Sequence, residues 1–298
     1  MRRPERQRLA VLAGLVALSL AAAHTAAGVS NPTRWLVFSA IPKGQTVAQL
    51  FRIQTTGAGL DQITTGRKTA SEPDFSPDGK RVVFVRLGSG IFVVNLDGSG
   101  LHRLTTAPRD QFPVWSPDGK QIAFLRIYKN VWRLYVMGPT GKAPHRLPLA
   151  LPGGRPSWTS DSKSVFNPVQ GALVKVDART GRQLKRYVIP IDLGTSNAAT
   201  VSPNSTRVAY VAPRPSLPTC EDTSCAVYAL YLADVPGGHP RKVANDTGPV
   251  GWSPDGTRMA FVHRGALNLW PVGTGARTTI TTGASTPAGD APPAWQPS

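Results

Sequence analysis

Short apolar segments separated by turn residues recur along most of the chain, and no long segment has the periodicity of an amphipathic helix. The clearest segments, residues 81–86, 121–126 and 258–263, read RVVFVR, QIAFLR and RMAFVH. Runs of β-branched and aromatic residues with few polar breaks are typical of strands buried on both faces. The pattern predicts an all-β fold of short strands, which the 29 Gly and 28 Pro also favour because these residues form turns.

A turn motif precedes each of these strands. Ser-Pro-Asp-Gly, or a variant of it, follows an aromatic or apolar residue, and its residue order matches the preferences of a type I turn. The residue before the motif recurs at spacings of 40, 43, 43, 51 and 43 residues: Phe75, Trp115, Trp158, Val201, Trp252 and Trp295. A period just above 40 residues is typical of four-stranded propeller blades.

The acidic residue of the motif repeats with the turn, which indicates a structural role rather than a catalytic one. It is present as Asp78, Asp118, Asp161 and Asp255. In the fourth copy Asn204 takes its place, a change that a turn tolerates. We expect these side chains to stabilise turns.

The two ends of the repeat region predict how the ring closes. Residues 34–40 (RWLVFSA) align with the second strand of a blade, and residues 293–298 (PAWQPS) end the chain with a first strand. The C-terminal strand can therefore complete the N-terminal blade and remove its open edge. The expected fold is a six-bladed β-propeller over residues 31–298, closed by pairing of the C-terminal strand into the N-terminal blade.

Residues 1–30 have the composition of a secretory signal peptide. Four arginines precede a 15-residue apolar run at residues 9–23, and small residues follow. The run is short for a helix that spans a bilayer. The alternative is an uncleaved N-terminal anchor, which would be the chain's only link to a membrane. Both interpretations predict an exported protein, periplasmic, at the cell surface or secreted.

The two cysteines, Cys220 and Cys225, lie in a Pro-containing segment within the 51-residue repeat. In an oxidising compartment such a pair favours a disulfide. The alternative is a redox pair, but the spacing is not Cys-x-x-Cys and no thioredoxin-like pattern surrounds it. We expect the disulfide-bearing loop to shape one wall of the binding face.

The chain is strongly basic, with a net charge of +17, and residues 31–298 retain 30 basic and 16 acidic residues. Such a charge attracts anionic surfaces and polymers, although scattered Lys and Arg also make an ordinary solubilising surface. No basic run interleaved with aromatic residues indicates a nucleic-acid groove. Nucleic acid is therefore not an expected partner.

The repeats resemble those of the TolB-like β-propeller family, in which a Trp-Ser-Pro-Asp-Gly turn precedes an apolar strand. The resemblance covers about residues 32–298. It implies an envelope protein, since related repeats occur in periplasmic TolB and in propellers attached to proteases. TolB itself resembles a small α/β domain followed by the propeller, and no such domain fits before Trp35.

The segments that lead into each first strand carry polar residues that should gather around the channel mouth. They are Glu72, Arg109, Asp110, Arg155, Asp192, Asn197, Asp246 and Asp290. This ring could bind a partner or a hard cation such as calcium, which takes oxygen ligands. The alternative is a set of ordinary solvated loop residues, so whether a metal binds stays open.

Features of catalysis are sparse in the sequence. There is no Gly-x-Ser-x-Gly nucleophile motif, and none of the five histidines has metal-ligand spacing. No cofactor is expected. The favoured function is a monomeric, non-catalytic, exported propeller that offers its loop-rich face to a protein or an anionic cell-wall polymer. The alternative is a propeller hydrolase or lyase with a metal at the channel mouth.

Overall fold

The structure is a computed structural model. It describes residues 33–148, 154–189, 199–213, 228–235, 238–245, 247–272, 277–282, 286–287 and 291–297. These residues form strands, turns and loops, and no helix occurs among them. The strands belong to six antiparallel sheets; in five of them strands adjacent in sequence are adjacent in space, and the sixth combines strands from both ends of the described chain.

Each sheet is one blade of a ring. Blade 1 contains β1 (Trp35–Ile41), β2 (Gln49–Gln54), β3 (Asp61–Gln62), β24 (Thr286–Pro287) and β25 (Ala294–Trp295). Blade 2 contains β4 (Ala70–Phe75), β5 (Arg81–Arg86), β6 (Gly90–Asn95) and β7 (His102–Arg103). Blade 3 contains β8 (Asp110–Trp115), β9 (Ile122–Tyr128), β10 (Val131–Met137) and β11 (His145–Arg146).

The second half of the chain repeats the arrangement. Blade 4 contains β12 (Ser157–Trp158), β13 (Ser164–Val169), β14 (Ala172–Asp177) and β15 (Gln183–Val188). Blade 5 contains β16 (Ala199–Val201), β17 (Arg207–Pro213), β18 (Tyr228–Asp234) and β19 (Arg241–Asn245). Blade 6 contains β20 (Thr247–Trp252), β21 (Arg258–His263), β22 (Ala266–Pro271) and β23 (Thr278–Ile280). The predicted six-bladed all-β propeller is confirmed.

Blade 1 combines strands from both ends of the propeller. β25 runs antiparallel to β1, with Trp295 opposite Leu36 and Ala294 opposite Val37. The Gln296 backbone N–H donates to the Trp35 carbonyl at 2.9 Å, which extends this pairing beyond the strand. These bonds connect residues more than 250 positions apart in sequence, so the first and last parts of the ring support each other.

The core consists of six apolar clusters, each of which lies between two neighbouring blades. Successive residues of a second strand contribute to different clusters, because side chains alternate across a strand. Val37, for example, packs with residues of blade 2, whereas Phe38 packs with residues of blade 6. Both residues are at most 1% exposed. The near-continuous apolar runs of the sequence are explained by this burial on both faces.

In blades 2 to 6, Ser-Pro-Asp-Gly turns or variants of them connect the first strand to the second. In blade 3 the Gly119 N–H donates to the Ser116 carbonyl at 2.9 Å, as a type I turn requires. Ser116 Oγ donates to Asp118 Oδ1 at 2.7 Å and accepts the Gln121 N–H at 2.9 Å. Asp118 therefore stabilises the turn that contains it.

Two faces of the propeller follow from the strand order. The turn face carries the Ser-Pro-Asp-Gly turns, which connect first strands to second strands. The hairpin face carries the hairpins between second and third strands and the segments that lead into the next blade, because neighbouring strands are antiparallel. The predicted channel-mouth segments thus belong to the hairpin face.

Candidate functional site

The innermost strands of the blades line a partly open cavity of about 200 Å³ at the centre of the propeller. Its wall includes four tryptophans, Trp115, Trp158, Trp252 and Trp295, each from the end of a first strand. Pro117 and Pro203, from two of the turns, also contribute. The cavity therefore lies towards the turn face, at the opposite end of the inner strands from the predicted channel mouth.

Three of the tryptophans bond to the preceding blade in the same way. The indole N–H of Trp158 donates to the Val114 carbonyl at 3.0 Å. Trp252 makes the equivalent bond to the Thr200 carbonyl at 3.2 Å, and Trp295 to that of Gly251 at 2.9 Å. In each case the acceptor immediately precedes the corresponding residue of the neighbouring first strand. These bonds hold the wall of the cavity together between blades.

Blade 2 departs from this pattern because Asp74 occupies the position before its aromatic residue. Asp74 Oδ2 accepts the backbone N–H of Trp115 at 2.8 Å, and Oδ1 accepts Arg155 Nη2 at 3.0 Å. Arg155 Nη2 also lies 3.3 Å from the Pro73 carbonyl. One carboxylate thus connects blade 2 to blade 3 and to the segment that leads into blade 4.

Burial raises the pKa of Asp74 from 3.8 to about 6. The positive charge of Arg155 and the hydrogen bond from Trp115 oppose this shift, since both favour the ionised carboxylate. The Asp74 side chain is 22% exposed and that of Arg155 is 10% exposed. The Asp74 side chain in this cavity consequently changes from neutral to negatively charged at mildly acidic pH.

A strained backbone adjoins the site. Glu72 and Phe112 have φ values of 57° and 55°, and each precedes a proline at a β-bulge in the first strand of its blade. Non-glycine residues in this left-handed region cost about 1 kcal/mol each. Glu72 Oε2 accepts the Phe112 N–H at 2.5 Å, which links the two bulges. The two bulges therefore take part in a contact between the first strands of blades 2 and 3.

The predicted site residues occupy four different kinds of position. Arg155 lines the central cavity, and Glu72 lies in β4, buried, on the same strand as Asp74. Asp110 is fully buried and forms a bidentate ion pair with Arg126, with N–O distances of 2.6 and 2.8 Å. Arg109 is exposed on the hairpin face. Asp192, Asn197, Asp246 and Asp290, together with Cys220 and Cys225, lie outside the described residues.

Asp74 was not among the predicted site residues, although the sequence carries a signal for it. The residue before the recurring aromatic or apolar position is Asp74, Val114, Ser157, Thr200, Gly251 and Ala294 in the six copies. Asp74 is the one charged residue in this column. A charged residue that occurs in one copy of the repeat, at a position facing the channel, indicates a function. The Asp that recurs in the turns indicates a structural role.

The described part of the chain has neither a cluster of metal-binding side chains nor a membrane-spanning helix. Within it, no group of three or more His, Cys, Asp or Glu residues is arranged to bind a metal ion. None of its segments forms a helix with the length and apolar character needed to cross a bilayer.

The fold and the site define a six-bladed β-propeller with an Asp–Arg pair in its central cavity. A family model described as the TolB beta propeller domain matches residues 19–162. No curated protein sequence matches the chain significantly. The match covers just under half of the chain and, together with the shared fold described below, supports the predicted resemblance to TolB-like β-propellers.

Solved structures share this fold at low sequence identity. TolB from Acinetobacter baumannii has a TM-score of 0.65 and 17% identity, over 89% of this chain and 67% of its own. A TolB candidate from Agrobacterium tumefaciens has a TM-score of 0.61 and 16% identity, over 88% of this chain and 94% of its own. An oligogalacturonate lyase in complex with manganese has a TM-score of 0.52 and 14% identity, over 83% and 73%.

Proposed function

We propose that this protein is an exported, non-catalytic binding propeller whose hairpin face docks a protein partner in the cell envelope. The observation that carries the proposal is the distribution of exposed apolar side chains. Five large ones lie at the hairpin face, with exposed fractions of 37% to 78%: Ile41, Leu87, Tyr128, Val131 and Val188. Exposed apolar and aromatic groups clustered on one face are typical of protein-interaction surfaces.

The β9–β10 hairpin carries two of these five side chains, Tyr128 and Val131. Tyr128 is 53% exposed at its tip, beside Lys129 and Asn130. Arg109 Nη1 lies 3.5 Å from Asn130 Oδ1, so the hairpin meets the segment that leads into blade 3. An aromatic anchor surrounded by cations fits a protein partner with an acidic surface. Of the polar residues predicted for the channel mouth, Arg109 is exposed and belongs to this face in the proposal.

The buried carboxylates support binding rather than catalysis. Asp110 is neutralised by Arg126, and Glu72 accepts a backbone N–H, so both stabilise the first strands. An oligogalacturonate lyase shares the fold, which keeps a metal-dependent hydrolase or lyase as the second candidate.

Residues 1–30 act in this proposal as the export signal. Mass spectrometry of the envelope-associated protein tests it, because retention of the intact N-terminus would indicate an anchor instead.

Chemical cross-linking in the native envelope tests the docking face. The Leu87→Ser/Tyr128→Ser double variant should lose a discrete cross-linked adduct that the unchanged protein forms. Leu101→Ser is the matched control, because Leu101 is 45% exposed but follows the third strand of blade 2, at the turn face.

Three results would count against the proposal. An adduct that survives the double substitution would place the interface elsewhere. Retention by cell-wall polymer that salt abolishes, without any protein adduct, would favour the anionic polymer. A higher melting temperature on adding calcium or manganese after EDTA treatment would favour the metal-dependent enzyme.

A further inference from the structure

Two hydrogen-bond donors that belong to residues of the cavity wall have no acceptor among the described residues. They are Nη1 of Arg155 and Nε1 of Trp115, and both atoms are buried. Arg155 as a whole is 9% exposed and Trp115 is 4% exposed, and both residues line the cavity. A buried donor without an acceptor is unfavourable and rare in folded proteins, so the pair requires an explanation.

Trp115 is an exception among the tryptophans of the cavity. The indole N–H groups of Trp158, Trp252 and Trp295 all donate to carbonyls of the preceding blade. Trp115 has the same position in its blade, yet its backbone N–H donates to the Asp74 carboxylate and its indole N–H has no acceptor in the described structure. Residue 74 is thus acidic in the one copy of the repeat whose neighbouring tryptophan, Trp115, has an indole N–H without an acceptor in the described structure.

Asp74 also brings the second donor to the same part of the cavity. Its two carboxylate oxygens accept from Trp115 and from Arg155 at 2.8 and 3.0 Å, so the two residues are held on either side of one carboxyl group. Arg155 uses Nη2 for this contact and for the Pro73 carbonyl, which leaves Nη1 for another acceptor. A guanidinium with a second free donor is well suited to a carboxylate.

The surface of the wall is about as polar as it is apolar, and most of its large side chains are rings. Besides the four tryptophans it includes five prolines: Pro117, Pro156, Pro203, Pro292 and Pro293. Flat indole and pyrrolidine surfaces in a space of about 200 Å³ favour a small molecule with a ring-shaped body. The two unsatisfied donors favour an acceptor group on that body.

We propose that the central cavity binds a small organic carboxylate with a ring-shaped body, whose carboxylate accepts hydrogen bonds from Arg155 Nη1 and Trp115 Nε1. This site lies towards the turn face and is independent of the protein-docking surface. A failure of either proposal therefore leaves the other standing.

Benzoate is the probe, and its neutral isostere benzamide is the control. Isothermal titration of the purified protein at millimolar ligand concentration should detect benzoate binding and at least roughly tenfold weaker binding of benzamide, since a hydrogen bond to a charged group is stronger. Absence of benzoate binding, or equal affinity for the two molecules, would overturn the proposal. This comparison needs no substitution and so does not depend on a variant that folds.

Matched tryptophan variants locate the site. Trp115→Phe removes the free indole donor and should weaken benzoate binding by about tenfold. Trp158→Phe removes an indole donor from the same wall, but one already bonded to Val114, and should change affinity by less than about twofold. Equal effects of the two substitutions would contradict the assignment.

An Asp74→Asn variant tests the role of charge. Asn keeps an oxygen for Trp115 or Arg155 but removes the negative charge that competes with the ligand for Arg155. We expect benzoate to bind several-fold more tightly to this variant than to the unchanged protein, with little change for benzamide. Weaker benzoate binding would show that the ligand does not approach Arg155.

Discussion

Two kinds of aspartate in this propeller have opposite environments. The turn residue Asp118 is exposed, and the Ser116 hydroxyl and other donors lower its pKa below the usual 3.8. Asp74, in the wall of the cavity, has its pKa raised to about 6 by burial. The turn aspartate recurs in four blades, with Asn204 in its place in blade 5, whereas Asp74 occurs in one blade. Repeated residues here maintain the fold, and the residue that breaks the repeat gives one region of the ring its own chemistry.

The largest expected loss of stability follows from breaking the Asp74–Arg155 pair. Arg155→Met leaves Asp74 without its cation and removes the donor to the Pro73 carbonyl. The free energy of unfolding should fall by about 3 kcal/mol, because a largely buried carboxylate loses its partner. Urea denaturation at neutral pH measures this change.

An exposed ion pair is the control for this substitution. Arg207 lies 3.7 Å from Asp234, and their side chains are 43% and 75% exposed. Arg207→Met should change the free energy of unfolding by less than about 0.5 kcal/mol. Equal losses from the two substitutions would mean that the cavity pair has no special role in stability.

The second effect is on the pH dependence of stability. Because the pKa of Asp74 rises from 3.8 to about 6 on folding, its contribution to stability is fully present below pH 3.8 and is lost as the pH rises to about 6. The difference in unfolding free energy between the unchanged protein and Asp74→Asn should therefore fall by about 2 kcal/mol across this window.

Asp118→Asn should give the opposite trend. Its lowered pKa means that the carboxylate contributes stability above pH 3.8, which is lost as the pH falls. Denaturation of both variants over a series of pH values would distinguish the two environments. The same trend for Asp74 and Asp118 would contradict the contrast between cavity and turn.

The smallest effect concerns the turn itself. Ser116→Ala removes the hydroxyl that donates to Asp118 and accepts the Gln121 N–H, and should lower the free energy of unfolding by about 1 kcal/mol. Asp118→Asn at neutral pH should change it by less, since Asn204 Oδ1 already accepts the Ser202 hydroxyl at 2.7 Å in blade 5. A larger loss from Asp118→Asn than from Ser116→Ala would show that charge, rather than geometry, holds the turn.

Much of the fold could be predicted from sequence because its signals are local. The turn motif and the apolar run after it depend on residues a few positions apart, and their period of just above 40 residues defined the blades. The site was harder to predict. Arg155 was identified as a site residue, but its contact with Asp74 joins residues 81 positions apart across the ring. Asp110, assigned to the channel mouth, is instead fully buried against Arg126.

The sequence by itself determined the repeat, the turns, the number of blades and the strands buried on both faces, since each depends on local preferences and on the alternation of side chains. Only the tertiary structure decided which polar groups meet at the centre. Whether Asp74 contacts Arg155, and whether an indole N–H finds a carbonyl, depends on distances between blades that no local pattern encodes. Burial, which shifts the pKa of Asp74, exists only once the ring of blades has formed.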